Sequence, residues 1–159
     1  MNLPKQFGIW GNTDKVSFWD VLPKIMSWSK NNGLEVYLTN RILNHENGQH
    51  LNHKEILSKE DMSGLDFILV LGGDGTFLSL ARIIEDVKTP ILGIHLGDLG
   101  FLAKVTLKDL FHRLDQVAQG TYILEDRILV QGSIVKDGVN IDQVALNDFV
   151  ICNAQSHRM

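Results

Sequence analysis

The sequence holds a single cysteine, Cys152, among 159 residues. One thiol closes no internal disulfide, so a disulfide-stapled scaffold is excluded and a reducing compartment is the simpler reading. No surplus of positive charge is present. The formal net charge is -4, which excludes a general electrostatic pull on nucleic acid or on anionic membranes. A phosphorylated ligand would have to be held by local backbone donors or through a metal ion, because the overall field opposes it. The opening residues show neither a basic segment nor an apolar stretch of the kind a signal peptide carries. No apolar run approaches the roughly 18 residues of a membrane span. No internal repeat and no low-complexity tract is evident, and disorder is not expected. These absences leave a soluble, cytoplasmic protein that binds neither nucleic acid nor membrane.

What is there is 44% hydrophobic content, enough for one well-cored domain and the start of a second. Phe7 to Trp10 is a short apolar run ending in the turn signal Gly11-Asn12. Ser17 to Asn32 reads as a helix stopped by Gly33, with Pro23 placing its start nearer Asp20 or bending it there. Leu34 to Leu38 is a second strand. The polar stretch 40–63 reads as a surface excursion with one helical turn near His53 to Ser58. Asp66 to Leu71 is an almost unbroken apolar run, as expected of a central parallel strand buried on both faces. Phe77, Leu80, Ala81, Ile84 and Val87 then share one face of a helix, and Pro90 to His95 is the next buried strand. Thr106 to Gln119 is a helix with a capping box at Thr106 and Asp109, ended by Gly120.

Strands that alternate with helices imply a parallel sheet. After about Glu125 the alternation stops. Ile128 to Val135 and Val139 to Ile151 are strand-like and joined through the hairpin signal Asp137-Gly138. The expected organisation is therefore an α/β domain over residues 1–125, with an open parallel Rossmann-like sheet, followed over 126–159 by the first strands of an incomplete β-rich domain. The hairpin leaves a sheet edge unpaired, which favours association.

The candidate site lies where the central strand runs into Gly72-Gly73-Asp74-Gly75-Thr76. Ligands of open α/β sheets bind at the carboxyl ends of the strands. Glycines there let a ligand approach the backbone, and the free N–H groups of a helix N-terminus favour anions. Asp74 opposes an anion unless it has a task, and two tasks fit: holding a Mg²⁺, or accepting a proton from a hydroxyl that attacks a phosphoryl group. The plainer alternative is a strand-to-helix turn in which Asp74 caps the helix. The turn is neither the dinucleotide fingerprint, since the third glycine is missing, nor a P-loop, which would need Gly-Lys-Ser/Thr.

The Gly72–Thr76 turn resembles the signature shared by NAD kinases, diacylglycerol and sphingosine kinases and, more loosely, phosphofructokinases. Two further stretches select among them. Gly97-Asp98-Leu99-Gly100-Phe101-Leu102 is similar to the second glycine turn of NAD kinases, 25 residues after the first, and Ala145-Leu146-Asn147-Asp148 resembles their Asn-Glu motif. The resemblance implies a phosphofructokinase-like sheet and transfer of a phosphoryl group from ATP or polyphosphate to the adenosine ribose 2′-hydroxyl of NAD, giving NADP. It implies Asp74 as catalytic base and Gly73, Asp74, Gly75, Thr76, Phe101, Asn147, Asp148 and Arg158 as the NAD-binding residues. Mg²⁺ or another divalent cation is expected with the donor, and a homo-oligomer is expected for the full-length protein.

Three departures from the family stand out. Asp148 replaces the usual Glu, Asp98 the commoner Asn, and the later T-P-T-G-S-T-A-Y motif does not occur, so the chain is expected to be a fragment with little activity by itself. A lipid kinase with the same glycine turn, or a non-catalytic nucleotide-binding domain, are the alternatives.

The remaining candidates carry less. His45, His50 and His53 lie in the polar stretch without a zinc spacing and read as a solvated loop. His95, at the ligand end of a buried strand, either lines the pocket or is structural. Trp10, Trp19 and Trp28 read as packing residues, and Cys152 as a small buried apolar side chain.

Overall fold

The structure, a computed structural model, describes residues 3–150 apart from 52, 85–86 and 98–99. It divides into two compact units, Met1–Leu124 and Glu125–Met159. In the first unit the elements follow the order β1 (Gln6–Gly11), α1 (Val16–Asn31), β2 (Glu35–Thr39), α2 (Asn40–Leu43), β3 (Lys54–Ile56), α3 (Lys59–Ser63), β4 (Phe67–Gly72), α4 (Asp74–Ile83), β5 (Ile91–His95), β6 (Val105–Thr106) and α5 (Leu110–Ala118). The second unit carries β7 (Val130–Lys136) and β8 (Val139–Ala145).

The six strands of the first unit form one sheet in the order β3-β2-β1-β4-β5-β6, every pair parallel. This is the doubly wound order, and it reverses direction between β1 and β4. At such a reversal the loops leaving neighbouring strands diverge to opposite faces and open a crevice at the carboxyl ends. The expected open parallel α/β sheet is thus present.

Side chains alternate across the sheet, so each strand feeds two cores. Phe7, Ile9, Phe67, Leu69, Leu71 and Ile94 face α1 and α5, packing on Phe18, Leu22, Ile25, Leu110 and Leu114. Ile68 and Val70 face the other way, onto Met62, Leu65, Leu80 and Ile84. Phe7 and Phe67, opposite one another in register, stack with centroids 4.8 Å apart. All six residues of β4 are buried, which is why that run reads as continuously apolar. A Leu or Phe side chain so placed contributes roughly 1.5–3 kcal/mol of transfer free energy.

Several elements differ from the sequence expectation. α1 runs Val16–Asn31, within one residue of the Ser17–Asn32 reading, and carries Pro23 in its interior, so the later start near Asp20 is not taken. The burial of Phe18, Val21, Leu22 and Ile25 on one stripe outweighs the lost N–H of Pro23. Gly33, at φ +69, ends the helix as expected. Residues 40–63 are not a bare excursion. They hold α2, the edge strand β3 and α3, and the segment read as a helical turn is the strand. Ser58 accepts from the Asp61 N–H and Asp61 from the Ser58 N–H, a capping box that starts α3. α4 stops at Ile83, short of Val87. The last helix starts at Leu110, because Thr106 is spent on β6 and its hydroxyl bonds the Asp109 carboxylate instead of a backbone amide.

The second unit is an antiparallel hairpin in the register Val130↔Ala145 to Lys136↔Val139. Its turn residues Asp137 and Gly138 both have positive φ, 53° and 77°, the conformation a two-residue hairpin turn needs.

Candidate active site

β4 delivers the chain to Gly72 at the centre of the sheet. A Cβ on Gly72 would overlap the Thr76 side chain, so the glycine lets the first turn of α4 fold back onto its own strand. Gly73 is the N-cap of α4 in extended conformation, without a side-chain cap, and the N–H groups of Thr76 and Phe77 return to its carbonyl. The N–H groups of Asp74 and Gly75, in the first turn of the helix, have no intrahelical acceptor by position.

Asp74 is the first residue of α4 and does not cap it, which overturns the capping alternative. Its carboxylate reaches toward β5 and the second glycine turn. Oδ2 accepts the Phe101 N–H at 2.9 Å, and Oδ1 accepts the N–H groups of Leu102 at 3.1 Å and Ala103 at 3.5 Å. A Cβ on Gly100 would overlap this carboxylate, so Gly100 is a glycine because Asp74 occupies its side-chain space. The two glycine motifs are thereby tied together through one side chain, across 27 to 29 residues of sequence.

His95, the last residue of β5, lies on the same side. Gly93, two residues earlier on that face, leaves room for the Phe77 ring of α4, and the His95 ring sits under Gly73. Its Nε2 is 3.7 Å from Asp74 Oδ1. His95 is 8% exposed, and among the described residues neither ring nitrogen has a hydrogen-bond partner. The Asp74 side chain remains 30% exposed.

The Phe101 N–H holds the Asp74 carboxyl below its ordinary range; burial opposes this, and the Leu102 and Ala103 N–H groups and His95 add to the lowering. The stability linked to this ionisation is fully present above the unfolded value of about 3.9 and is lost as the pH falls through the lower folded value. Wild type and Asp74→Asn should therefore differ most in urea midpoint near neutral pH, and the gap should narrow only below about pH 4. A gap that is constant from pH 7 to pH 2 would contradict the N–H bonds to the carboxylate.

On the other side of the turn, between the ends of β1 and β4, lies a crevice of ≈ 630 Å³ lined by Asn12, Thr39, Arg41, Ser58, Gly75 and Thr76, among others. It occupies the point where the strand order reverses. Arg41 is held by Thr13 Oγ1 and by an exposed pair with Asp14, both at 3.0 Å. Trp10 donates to Ser79 Oγ at 3.0 Å and fixes the wall between β1 and α4. The sequence reading missed Asn12, Arg41 and Ser79. The only local signal was the Gly11-Asn12 turn, noted for its shape and not for a ligand.

Of the expected site residues, the first unit brings together Gly73, Asp74, Gly75, Thr76 and Phe101. Phe101 is 89% exposed. Asn147 and Asp148 belong to the second unit, just after β8, where Asn147 Nδ2 donates to Asp148 Oδ1 at 3.2 Å. Arg158, Asp98 and Cys152 lie outside the described residues. Of the loop histidines, His45 stacks on Trp19 with centroids 4.5 Å apart, so it is a packing residue and not merely solvated. No group of three or more metal-ligating side chains occurs among the described residues, and none of the described helices is long and apolar enough to cross a membrane.

A doubly wound parallel sheet, with glycine turns leaving β4 and β5 and a crevice at the strand-order reversal, defines an α/β domain of the nucleotide-binding class. The comparisons narrow this class. Residues 7–122 match the family described as the ATP-NAD kinase N-terminal domain, and the chain belongs to that family. It is 35% identical over 160 residues to an NAD kinase of Caldanaerobacter subterraneus subsp. tengcongensis, covering 98% of this chain and 54% of the relative. It is 36% identical over 155 residues to an NAD kinase of Hydrogenovibrio crunogenus, covering 97% and 53%. The chain thus spans about half the length of the curated relatives it matches. The crystal structure of yeast NADH kinase complexed with NADH aligns with a TM-score of 0.77 at 18% identity, over 92% of this chain and 45% of that one, and shares its fold.

Proposed function

We propose that this chain supplies the catalytic carboxylate and part of the nucleotide site of a kinase that phosphorylates NAD on the 2′-hydroxyl of its adenosine ribose, with ATP or polyphosphate as donor. The observation that carries the reading is the convergence of both glycine turns on Asp74. A carboxylate has about four acceptor positions, and three N–H groups take up Asp74 without closing its exposed side. Oδ2 bears only the Phe101 N–H, and its remaining lone pair is the one a ligand hydroxyl would use. In this reading the ribose lies over Gly72–Thr76, with the adenine near the exposed Phe101 ring. Asp74 takes the hydroxyl proton as the oxygen attacks the terminal phosphoryl group, and the donor leaves with one phosphate fewer. The first-turn amides of α4, facing the crevice through Gly75 and Thr76, suit the donor phosphates. Asn147, Asp148 and Arg158 are the further NAD-binding residues that the family resemblance implies.

The described residues offer no cage for a resident metal. Mg²⁺ suits this site as an ion carried by the donor phosphates, where it neutralises charge in phosphoryl transfer. Positioning and electrostatics are what the chain itself contributes. A cytoplasmic location accords with this substrate.

The test is product formation by a full-length kinase carrying this chain, given NAD, Mg²⁺ and either ATP or polyphosphate. NADP, read out by an NADP-specific dehydrogenase, is the expected product with at least one donor. Transfer to diacylglycerol or sphingosine without any NADP would overturn the reading.

A further inference from the structure

His95 is not among the residues that the glycine-turn reading assigns. A buried imidazole normally has its ring N–H satisfied, and one with neither nitrogen partnered calls for a reason. Alternation along β5 turns Ile94 into the core shared with α1 and α5 and turns His95 to the face of α4, directly beneath the Gly73 turn. The only ion-pair partner within reach among the described residues is Asp74 Oδ1, at 3.7 Å. The neighbouring strands offer no competitor, because neither β4 (Phe67–Gly72) nor β6 (Val105–Thr106) carries a titratable side chain. On α4, the remaining charge is Arg82 in the last turn, at the far end of the helix.

Asp74 Oδ1 thus stands between two sets of donors. On one side are the N–H groups of Leu102 and Ala103, the latter at 3.5 Å and the longest of the three bonds. On the other is His95 Nε2, less than an ångström beyond ordinary hydrogen-bond length. A small swing of the carboxylate exchanges the Ala103 bond for one from His95. Catalytic hydrogen bonds are often long before the ligand arrives.

We propose that His95 is a positioning residue for Asp74: its Nε2–H anchors Oδ1 when the carboxylate turns toward the ligand hydroxyl, and so keeps Oδ2 aimed at that hydroxyl. In this role Nε2 is the donor, and no proton is exchanged with Asp74. The proposal rests on the kinase reading for its consequence, but the His95–Asp74 pairing can be read without turnover.

Two measurements test it. In this chain, ring-nitrogen NMR at neutral pH should place the proton on Nε2, and Asp74→Asn should shift that N–H resonance. A proton on Nδ1, or an Nε2 resonance unmoved by Asp74→Asn, would overturn the pairing. In a full-length kinase carrying the chain, His95→Leu should lower kcat by about tenfold or more with KM for NAD nearly unchanged, the signature of a transition-state contact. His95→Gln, whose amide can set a donor near the Nε2 position, should recover most of the loss. His95→Leu added to Asp74→Asn should cost no further rate, since it acts through the carboxylate. Equal losses in the Gln and Leu variants, or losses that add to that of Asp74→Asn, would show a structural role instead. If the NMR pairing is found and no NADP forms, the kinase reading fails while the pairing stands.

Discussion

Asp74→Asn, in a full-length kinase carrying this chain, should retain NAD binding and lose most of its turnover. The substitution keeps shape and one acceptor but cannot take up the hydroxyl proton. General-base catalysis contributes about 10²–10⁴-fold, so the loss should fall in kcat and not in KM. NAD affinity should hold or rise slightly, because a negative charge beside the pyrophosphate is removed. The structure adds a stability cost that an isosteric swap does not suggest. Oδ2 accepts from Phe101 and Oδ1 from Leu102 and Ala103, so whichever oxygen becomes an NH₂ faces an N–H donor. One donor (Phe101) or two (Leu102 and Ala103) are then left unsatisfied, at roughly 1–3 kcal/mol each. Rate, NAD affinity and urea midpoint should be measured on the same preparation. A variant that keeps more than about a tenth of its rate would contradict the catalytic assignment, given the ~10²-fold floor for a lost base.

Gly100→Ala should approach the same loss of rate without touching a reactive atom. The added methyl would overlap the Asp74 carboxylate. Either the carboxylate leaves its three N–H bonds or the backbone of the second turn shifts, and both displace the base. The expected loss in kcat is again of order 10²-fold, with about 1–3 kcal/mol of destabilisation from overpacking. Gly97→Ala is the internal control for stability, since a Cβ there meets nothing within 4 Å. Its urea midpoint should stay close to wild type. A Gly100→Ala variant of undiminished kcat would show that Asp74 need not sit where the two turns place it.

Much of the fold was legible because β4 is buried on both faces and announces itself as a continuous apolar run. The glycine turn after it was legible for the same local reason. β3 was not, because only Ile56 of its three residues is buried and the segment reads as polar. β6 has two residues, too few for any period to show. At the site, Asp74 was picked out by its place in the turn, but what its carboxylate does was not. Its partners are backbone N–H groups 27 to 29 residues later, and a backbone N–H carries no side-chain signature. The same holds for Gly100, whose lack of a side chain is explained only by the carboxylate that fills the space. Asn12 comes from the loop after β1 and Arg41 from α2, directly after β2, and only the strand order 3-2-1-4-5-6 puts them at the crevice.

The most direct test is the geometry of the NAD complex in a full-length kinase carrying this chain. In its crystal structure with NAD, the adenosine 2′-oxygen should lie within about 2.6–3.2 Å of an Asp74 carboxylate oxygen, with the Phe101 turn still beside it. A ribose bound beyond reach of Asp74, with the carboxylate still held by Phe101, Leu102 and Ala103, would contradict the account.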